Sequence, residues 1–321
     1  MVGALTDALA WASVLAFVAG ALVARRRRDL GRPVLAGAWA LFGVFWAPLV
    51  GHFWLVQKSA IEGIATAVAV PACLYTGLLL LRGRESLFVL SRAVAVMGLL
   101  YLPFETVTLL EHWLIEVVTR QVEFAITAIG YDPVVSTDAE GVRNTFLFTG
   151  PDGHRYRTYI VLACSGIGSM VMFAGLIAAV RAPLGRKLRA LAVSVPVIWV
   201  LNILRNVFIA VAFGRQWFRG LTDPAALVFG FSDPGLASFY IADRVIAQSL
   251  AVVVLVAILW AVVRQVPALV VVVEDVVYLL TRREYDLAGA FGTASSTVDG
   301  TAGLRTDGGG PDTGDGNGRD R

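Results

Sequence analysis

One thiol and two guanidiniums carry the chemistry that this chain offers. Cys164 stands in Ala163-Cys164-Ser165-Gly166-Ile167-Gly168-Ser169 at the start of a membrane-length apolar stretch, and two later apolar segments carry or abut Arg205 and Arg244. Charges in such positions cost free energy in lipid unless they face protein or water. A nearby guanidinium favours a thiolate over a thiol, and the same positive field stabilises the oxyanion formed when a thiolate attacks a peptide carbonyl. Gly166 and Gly168 permit close backbone approach, and first-turn helix amides beside Cys164 are donors to that oxyanion where the helix ladder does not already engage them. Asn202 and Asn206 lie one helical turn apart on either side of Arg205, which reads as a polar face holding its guanidinium. On these residues alone the structural alternatives stay open: Cys164 packing among small neighbours, and Arg244 snorkelling to an interface. Cys73 lacks charged or glycine neighbours and reads as a packing residue.

Composition sets the class that must position these groups. The 321 residues are 57% apolar and 16% charged, with a mean hydropathy of +0.71, which describes a helical integral membrane protein rather than a soluble multidomain enzyme. The net charge of +3 does not point to nucleic acid, because the arginines cluster at the ends of apolar segments, where the positive-inside bias puts them. Two cysteines are too few for a disulfide scaffold or a cysteine-rich metal site. No Walker loop, dinucleotide fingerprint or internal repeat is present, and neither metal nor organic cofactor is called for.

The expected fold is an all-α polytopic membrane protein of about 7–8 transmembrane helices, with an external amphipathic segment and a small external hairpin. Residues 5–24 form the first apolar run, followed by Arg25-Arg26-Arg27-Arg28 and Arg32; basic residues after the run, rather than before it, predict a retained helix with its N-terminus outside. Residues 34–56 return outward and 60–80 go inward to Arg82 and Arg84. Residues 87–102, with Arg92 near their start, return outward. From 104 to 130, Glu105, Glu111, Glu116, Arg120 and Glu123 are mixed with Trp113, Leu114, Ile115 and Phe124, the pattern of a helix lying on the outer interface. Residues 145–149 and 154–159 around the turn 150–153 predict a hairpin lid. Residues 159–180 then enter from outside and end at Arg181, Arg186, Lys187 and Arg189; 191–213 return, 214–243 connect externally, and 244–263 cross inward to Arg264. The stretch 267–280 carries Glu274 and Asp275 and is short, which favours an interfacial helix over an eighth crossing. The expectation is a catalytic membrane domain over 1–290, including the external segment 104–158, and a disordered Gly- and Asp-rich tail over 291–321.

This topology predicts convergence. A helix beginning near residue 159 puts Cys164 roughly 7 Å below its outer end, Arg205 roughly 12 Å deep in the next helix, and Arg244 at the outer start of the one after.

Ala163-Cys164-Ser165-Gly166, Leu204-Arg205-Asn206 and Asp243-Arg244 resemble the motifs of the exosortase/archaeosortase family, most closely its archaeosortase branch. The resemblance covers the multispanning core, residues 158–247 above all, and excludes the tail. It implies a cysteine endopeptidase and transpeptidase that recognises a C-terminal tripartite signal on exported or surface-layer glycoproteins: a Pro-Gly-Phe-type motif, a membrane helix and a basic end. It further implies joining of the new C-terminus to an archaeal phospholipid. Cys164 then matches the nucleophile, Arg205 the intramembrane arginine and Arg244 the third catalytic position. Many bacterial members carry histidine there, so the proton-transfer role does not carry over. Arginine stays protonated and is a poor base, which leaves Arg244 to orient substrate or stabilise charge.

Other residues have weaker claims. His52 is a candidate proton carrier or an interfacial histidine, while His112 and His154 are external with no assigned role. Asp243 pairs with Arg244, contacts substrate or caps a helix. Phe239 and Tyr240 line an entrance or act as interfacial anchors. The rival classes are an anion-binding transporter that uses Arg205, and a noncatalytic scaffold packed through its glycines. Implied partners are the signal-bearing exported proteins, an amine-bearing archaeal phospholipid and membrane lipids, with no nucleic acid.

Overall fold

A computed structural model of the chain describes residues 3–56, 60–150, 153–287 and 289; the predicted tail over 291–321 lies outside them. The elements run α1 (Ala4–Arg26), α2 (Arg28–Gly51), a π-helical turn (His52–Val56), α3 (Ala60–Leu81), α4 (Leu87–Thr106) and α5 (Thr108–Ala128). Strands β1 (Val134–Thr137), β2 (Arg143–Thr149) and β3 (Arg155–Tyr159) follow, then a 3-10 turn (Leu162–Ser165), α6 (Ile167–Ala179) and α7 (Leu184–Gly214). The chain continues through α8 (Thr222–Phe229), α9 (Ala237–Tyr240), a second π-helical stretch (Ile241–Ala247), α10 (Gln248–Gln265) and α11 (Val270–Thr281).

Among the described residues six helical spans are long and apolar enough to cross a membrane: Leu5–Arg26, Arg28–Val56, Glu62–Leu81, Leu87–Thr106, Leu184–Gly214 and Pro234–Gln265. Ile167–Ala179 is a shorter apolar helix packed along α4 and α7. The protein is thus an all-α polytopic membrane protein with a small sheet outside its helical core. The last helix, α11, has 12 residues, or roughly 18 Å, well short of a hydrocarbon core of about 30 Å. Its Asp275 is buried and accepts from Arg84 Nε and Ser86 Oγ, both at 2.9 Å, so α11 is tied back onto the α3–α4 corner.

Among the described residues two main cores are present, beside a small third cluster of Ala10, Val14 and Leu102. The larger joins α1, α2, α3, α4, α6, α7, α10 and α11 around Phe17, Leu35, Leu80, Phe173, Ile177 and Val262. Close approach at Gly175 lets α6 lie against α4: a Cβ there would meet the Ala93 carbonyl oxygen at 3.0 Å. The smaller core buries Leu114, Val118, Val122 and Ile126 of α5 against Phe146 and Phe148 of β2 and Val207 and Val211 of α7. The amphipathic reading of residues 104–130 explains that face: the apolar stripe recurs at helical spacing, and Arg120 on the other side stays exposed.

The predicted hairpin is present, with Thr149 opposite Arg155 and Thr145 opposite Tyr159. A third strand, β1, which the sequence reading did not anticipate, pairs antiparallel with β2. Arg143 fastens the sheet to α5 by a two-pronged ion pair with Glu123, both contacts at 2.7 Å.

Candidate active site

The segment predicted as one helix over 159–180 divides into three pieces. Tyr159 closes β3, residues 162–165 form the 3-10 turn, and α6 begins only at Ile167. Cys164 therefore lies in a turn ahead of the helix, not about 7 Å down inside it. The cause is local. Gly166 has φ +76°, a left-handed conformation that interrupts the helical path, and a Cβ on it would stand 2.9 Å from Asn202 Cγ. Ser165 is fully buried, donates through Oγ to the Leu162 carbonyl at 2.6 Å and accepts from the Ile167 N–H at 3.2 Å, which fixes the turn and occupies the first amide of α6. Ile160 and Leu162 anchor the turn in the smaller core. The half-buried Cys164 donates its own N–H to the Val161 carbonyl at 2.8 Å.

Asn202 and Asn206 hold Cys164 rather than Arg205. Their side-chain amides both donate to the Cys164 carbonyl oxygen, from Nδ2 at 2.7 and 2.8 Å respectively. One carbonyl has two lone pairs, and an i,i+4 pair on α7 fills both from one helix face. The spacing was legible in the sequence, but its target was not, because Cys164 is 38 and 42 residues away along the chain.

Arg205 finds a different partner. Its Nη2 stands 2.6 Å from Asp243 Oδ1, and Arg244 Nε stands 3.5 Å from Asp243 Oδ2, so one carboxylate lies between two guanidiniums from separate elements. Asp243 and Arg244 sit in the π-helical stretch Ile241–Ala247, a widened helical form often found at functional sites. The charges that act on the Cys164 thiol are those of Arg205, Asp243 and Arg244. The structure thus brings the three sequence-predicted residues into one electrostatic neighbourhood, with Asp243 as its fourth member. Removal from water is the largest influence and favours the thiol, as does Asp243; the two cations favour the thiolate.

The connection between α7 and α10 keeps that arrangement in place. Phe213 meets Tyr156 of the sheet at 5.5 Å and Phe239 at 5.8 Å, and Tyr240 stacks on both Phe229 and Phe231. Phe239 and Tyr240 therefore belong to an aromatic chain that fixes the start of the π-helical stretch. Gln216, at φ 53°, is held in its left-handed conformation by its own amide, which donates to the carbonyls of Phe213 and Gly235. His112 pairs with Glu140 at 3.6 Å, His154 packs on Tyr156 at 4.9 Å and His52 on Phe53 at 5.7 Å.

Beside the charged cluster a groove of about 390 Å³ opens between α7 and α10. It runs from Gly166, Asn202 and Arg205 at its polar end to Leu250, Val254 and Ile258 at its apolar end.

Residues 6–233 match the family model for transmembrane exosortases. The chain belongs to the transmembrane exosortase family. As an exosortase relative it is 51% identical over 302 residues to archaeosortase A of Haloferax volcanii, covering 91% of this chain and 99% of that relative. It is also 47% identical over 286 residues to archaeosortase A of Natronomonas pharaonis, covering 86% of this chain and 89% of the relative. No solved structure matches it. The exosortase family match ends at residue 233, before Asp243 and Arg244.

Proposed function

We propose that this archaeosortase-type membrane enzyme, which acts in protein sorting, works as a cysteine endopeptidase and transpeptidase with Cys164 as nucleophile. Its substrates are exported or surface-layer glycoproteins that end in a Pro-Gly-Phe-type motif, a membrane helix and basic residues. The observation that carries this reading is the placement of Arg205, Asp243 and Arg244 around a Cys164 whose carbonyl is clamped by two asparagines.

The substrate's apolar tail enters laterally along the groove between α7 and α10, which presents the motif at the polar end. Cys164 Sγ attacks the scissile carbonyl, the C–N bond breaks and a thioester forms; the thiol proton ends on the departing amine. Arg205 holds negative charge on the carbonyl oxygen as it develops, and Arg244 orients the chain or shares that charge. Asp243 positions both guanidiniums. Asn202 and Asn206 prevent the nucleophile's turn from rotating during attack. An amine-bearing archaeal phospholipid then attacks the thioester, an amide forms, and the cysteine regains its proton. No step asks Arg244 to act as a base.

The same reading assigns residues 1–290 to one catalytic unit, with 104–158 lying over the site and the tail 291–321 taking no part. It puts the Cys164 end of the bundle at the extracellular face and the N-terminus outside, because Arg25, Arg26, Arg28, Arg181 and Lys187 gather at the other end.

The test is reconstitution of the full chain with a signal-bearing substrate and an amine-bearing archaeal phospholipid, followed by intact mass spectrometry. Wild type gives a cleaved, lipid-linked product and Cys164→Ser gives none. Unchanged substrate mass with folded wild-type enzyme and demonstrated substrate binding overturns the assignment, and equal product from Cys164→Ser removes the thiol from the mechanism.

A further inference from the structure

At the end of the bundle opposite Cys164, six cations surround one cavity. It has a volume of about 1080 Å³ and is walled by the end of α1, the starts of α2, α4 and α7, the end of α6 and the α10–α11 corner. Its basic lining is Arg25, Arg26, Arg28, Arg92, Arg181 and Lys187, against Glu85 as the lone carboxylate among the described lining residues. That carboxylate is already engaged, by Arg28 Nη1 at 2.6 Å and Arg32 Nη2 at 3.6 Å. Lys187 Nζ donates to the Ala178 carbonyl at 2.9 Å, tying the start of α7 to the end of α6.

A flank of solvated arginines would satisfy the positive-inside bias without binding anything. Arg25, Arg26, Arg28 and Arg181 are exposed enough for that explanation. Arg92 is not. It sits in the first turns of α4, its Nε is enclosed and donates to no protein acceptor, and the charges of Arg25, Arg28 and Arg181 all act on it. An enclosed donor in a field of like charge is costly unless an anion meets it.

We propose that this cavity binds a phosphate-bearing anion, with Arg92 and Arg181 as principal donors and Arg25 and Arg28 supplying further positive field. Guanidiniums converging from separate helices suit a tetrahedral oxyanion, which offers acceptors in several directions, better than a planar carboxylate, which offers two. The cavity is much larger than a free phosphate, and Leu35, Phe88 and Val271 give it apolar walls; an anionic lipid headgroup with the start of its chains uses both features. It is not the place where an acceptor lipid would meet the thioester. The 13 residues of α6, roughly 20 Å, separate its nearer wall at Ala178 from the Cys164 turn. Its occupant neutralises the repulsion among five helix ends and so stabilises the bundle.

The test uses full-length, delipidated protein in detergent and follows Tm against added dihexanoyl phosphatidylglycerol, dihexanoyl phosphatidylcholine or inorganic phosphate. Phosphatidylglycerol raises Tm saturably and phosphatidylcholine does not. Arg92→Gln/Arg181→Gln raises the half-saturating concentration about tenfold or more, as expected for lost charge-assisted hydrogen bonds. Arg82→Gln/Arg283→Gln, which removes the same charge from exposed positions outside the cavity, shifts it less than about twofold. Arg181→Gln alone supplies the reading if the double variant does not fold. A saturable shift with inorganic phosphate that needs the same arginines also supports the site and makes free phosphate its ligand. Equal responses to both lipids with none to phosphate, or responses indifferent to Arg92 and Arg181, overturn the proposal.

Discussion

Asn202 and Asn206 offer the sharpest test of how the turn around Cys164 is held. Each donates one bond, at 2.7 and 2.8 Å, to the same carbonyl oxygen. A neutral bond of this kind contributes about 1 kcal/mol net, whereas leaving the carbonyl with no partner in a half-buried site costs about 1–3 kcal/mol. Replacing one asparagine with leucine keeps the volume and leaves the oxygen one donor. The expected loss in kcat for Asn202→Leu or Asn206→Leu is about fivefold, the rate equivalent of about 1 kcal/mol. Removing both orphans the oxygen and frees the turn. The double variant is expected to lose about 100-fold, more than the product of the singles, because the second deletion costs a desolvated carbonyl as well as a bond. KM for a signal-bearing substrate changes less than kcat, since the clamp orients the proposed nucleophile rather than the tail. The assay is the initial rate of substrate cleavage by reconstituted enzyme, with the alkylation rate of Cys164 in a Cys73→Ala background as an independent reading of the turn. If both singles and the double stay within about twofold of wild type in kcat at equal folded fraction, the clamp has no catalytic consequence and the positioning argument fails.

Three further perturbations separate the elements of the site. Gly166→Ala combines a left-handed φ with a 2.9 Å approach to Asn202 and should lower Tm and cleavage rate together, while Gly168→Ala, where a Cβ meets nothing within 4 Å, should leave both near wild type; differential scanning fluorimetry beside the cleavage assay checks the contrast. Arg205→Lys keeps the charge but loses the guanidinium that lies 2.6 Å from Asp243, and should cost about tenfold or more in kcat/KM with little change in expression or Tm; a lysine variant within about twofold of wild type would reduce Arg205 to a diffuse field. In the loop between β1 and β2, loss of hydration opposes ionisation of Asp138, yet N–H donors from Val142 and Glu140 and the amide of Asn144 hold its carboxyl below the usual range. A depressed folded-state value adds stability that is complete above the unfolded value of about 3.9 and is lost as pH falls through the folded one; hydrogen exchange at the Glu140 and Val142 amides should accelerate in that window, and Asp138→Asn should remove the pH dependence.

Much of this architecture is written in local patterns. Apolar run length and the placement of arginines suffice for a polytopic helical membrane protein, because a backbone crossing lipid must satisfy its hydrogen bonds within the helix whatever it later packs against. The amphipathic stripe of α5 and the pairing of β2 with β3 are equally local, since periodicity and turn chemistry act within a few residues. Element edges were harder to read. Hydropathy does not distinguish a strand end, a 3-10 turn and a helix start when Tyr159, Ile160, Val161 and Leu162 are all apolar or aromatic, so the break before α6 was hidden. The glycine that causes it was visible at 166, but a glycine in a small-residue run serves helix packing as readily as a left-handed turn.

The residue types for cysteine chemistry were determined by the sequence: one thiol in a glycine-rich segment, and two arginines where lipid penalises them. Their pairing was decided only by tertiary structure. Asn202 and Asn206 turned from Arg205 to the Cys164 carbonyl, and Asp243 reached across to Arg205 as well as to its neighbour Arg244. The physical reason is that a hydrogen bond or ion pair depends on a few ångströms between side-chain atoms, and those distances follow from how α6, α7 and the π-helical stretch pack together. Local propensity sets each helix, but the contact between residues 38 and 42 positions apart exists only after the helices have packed together.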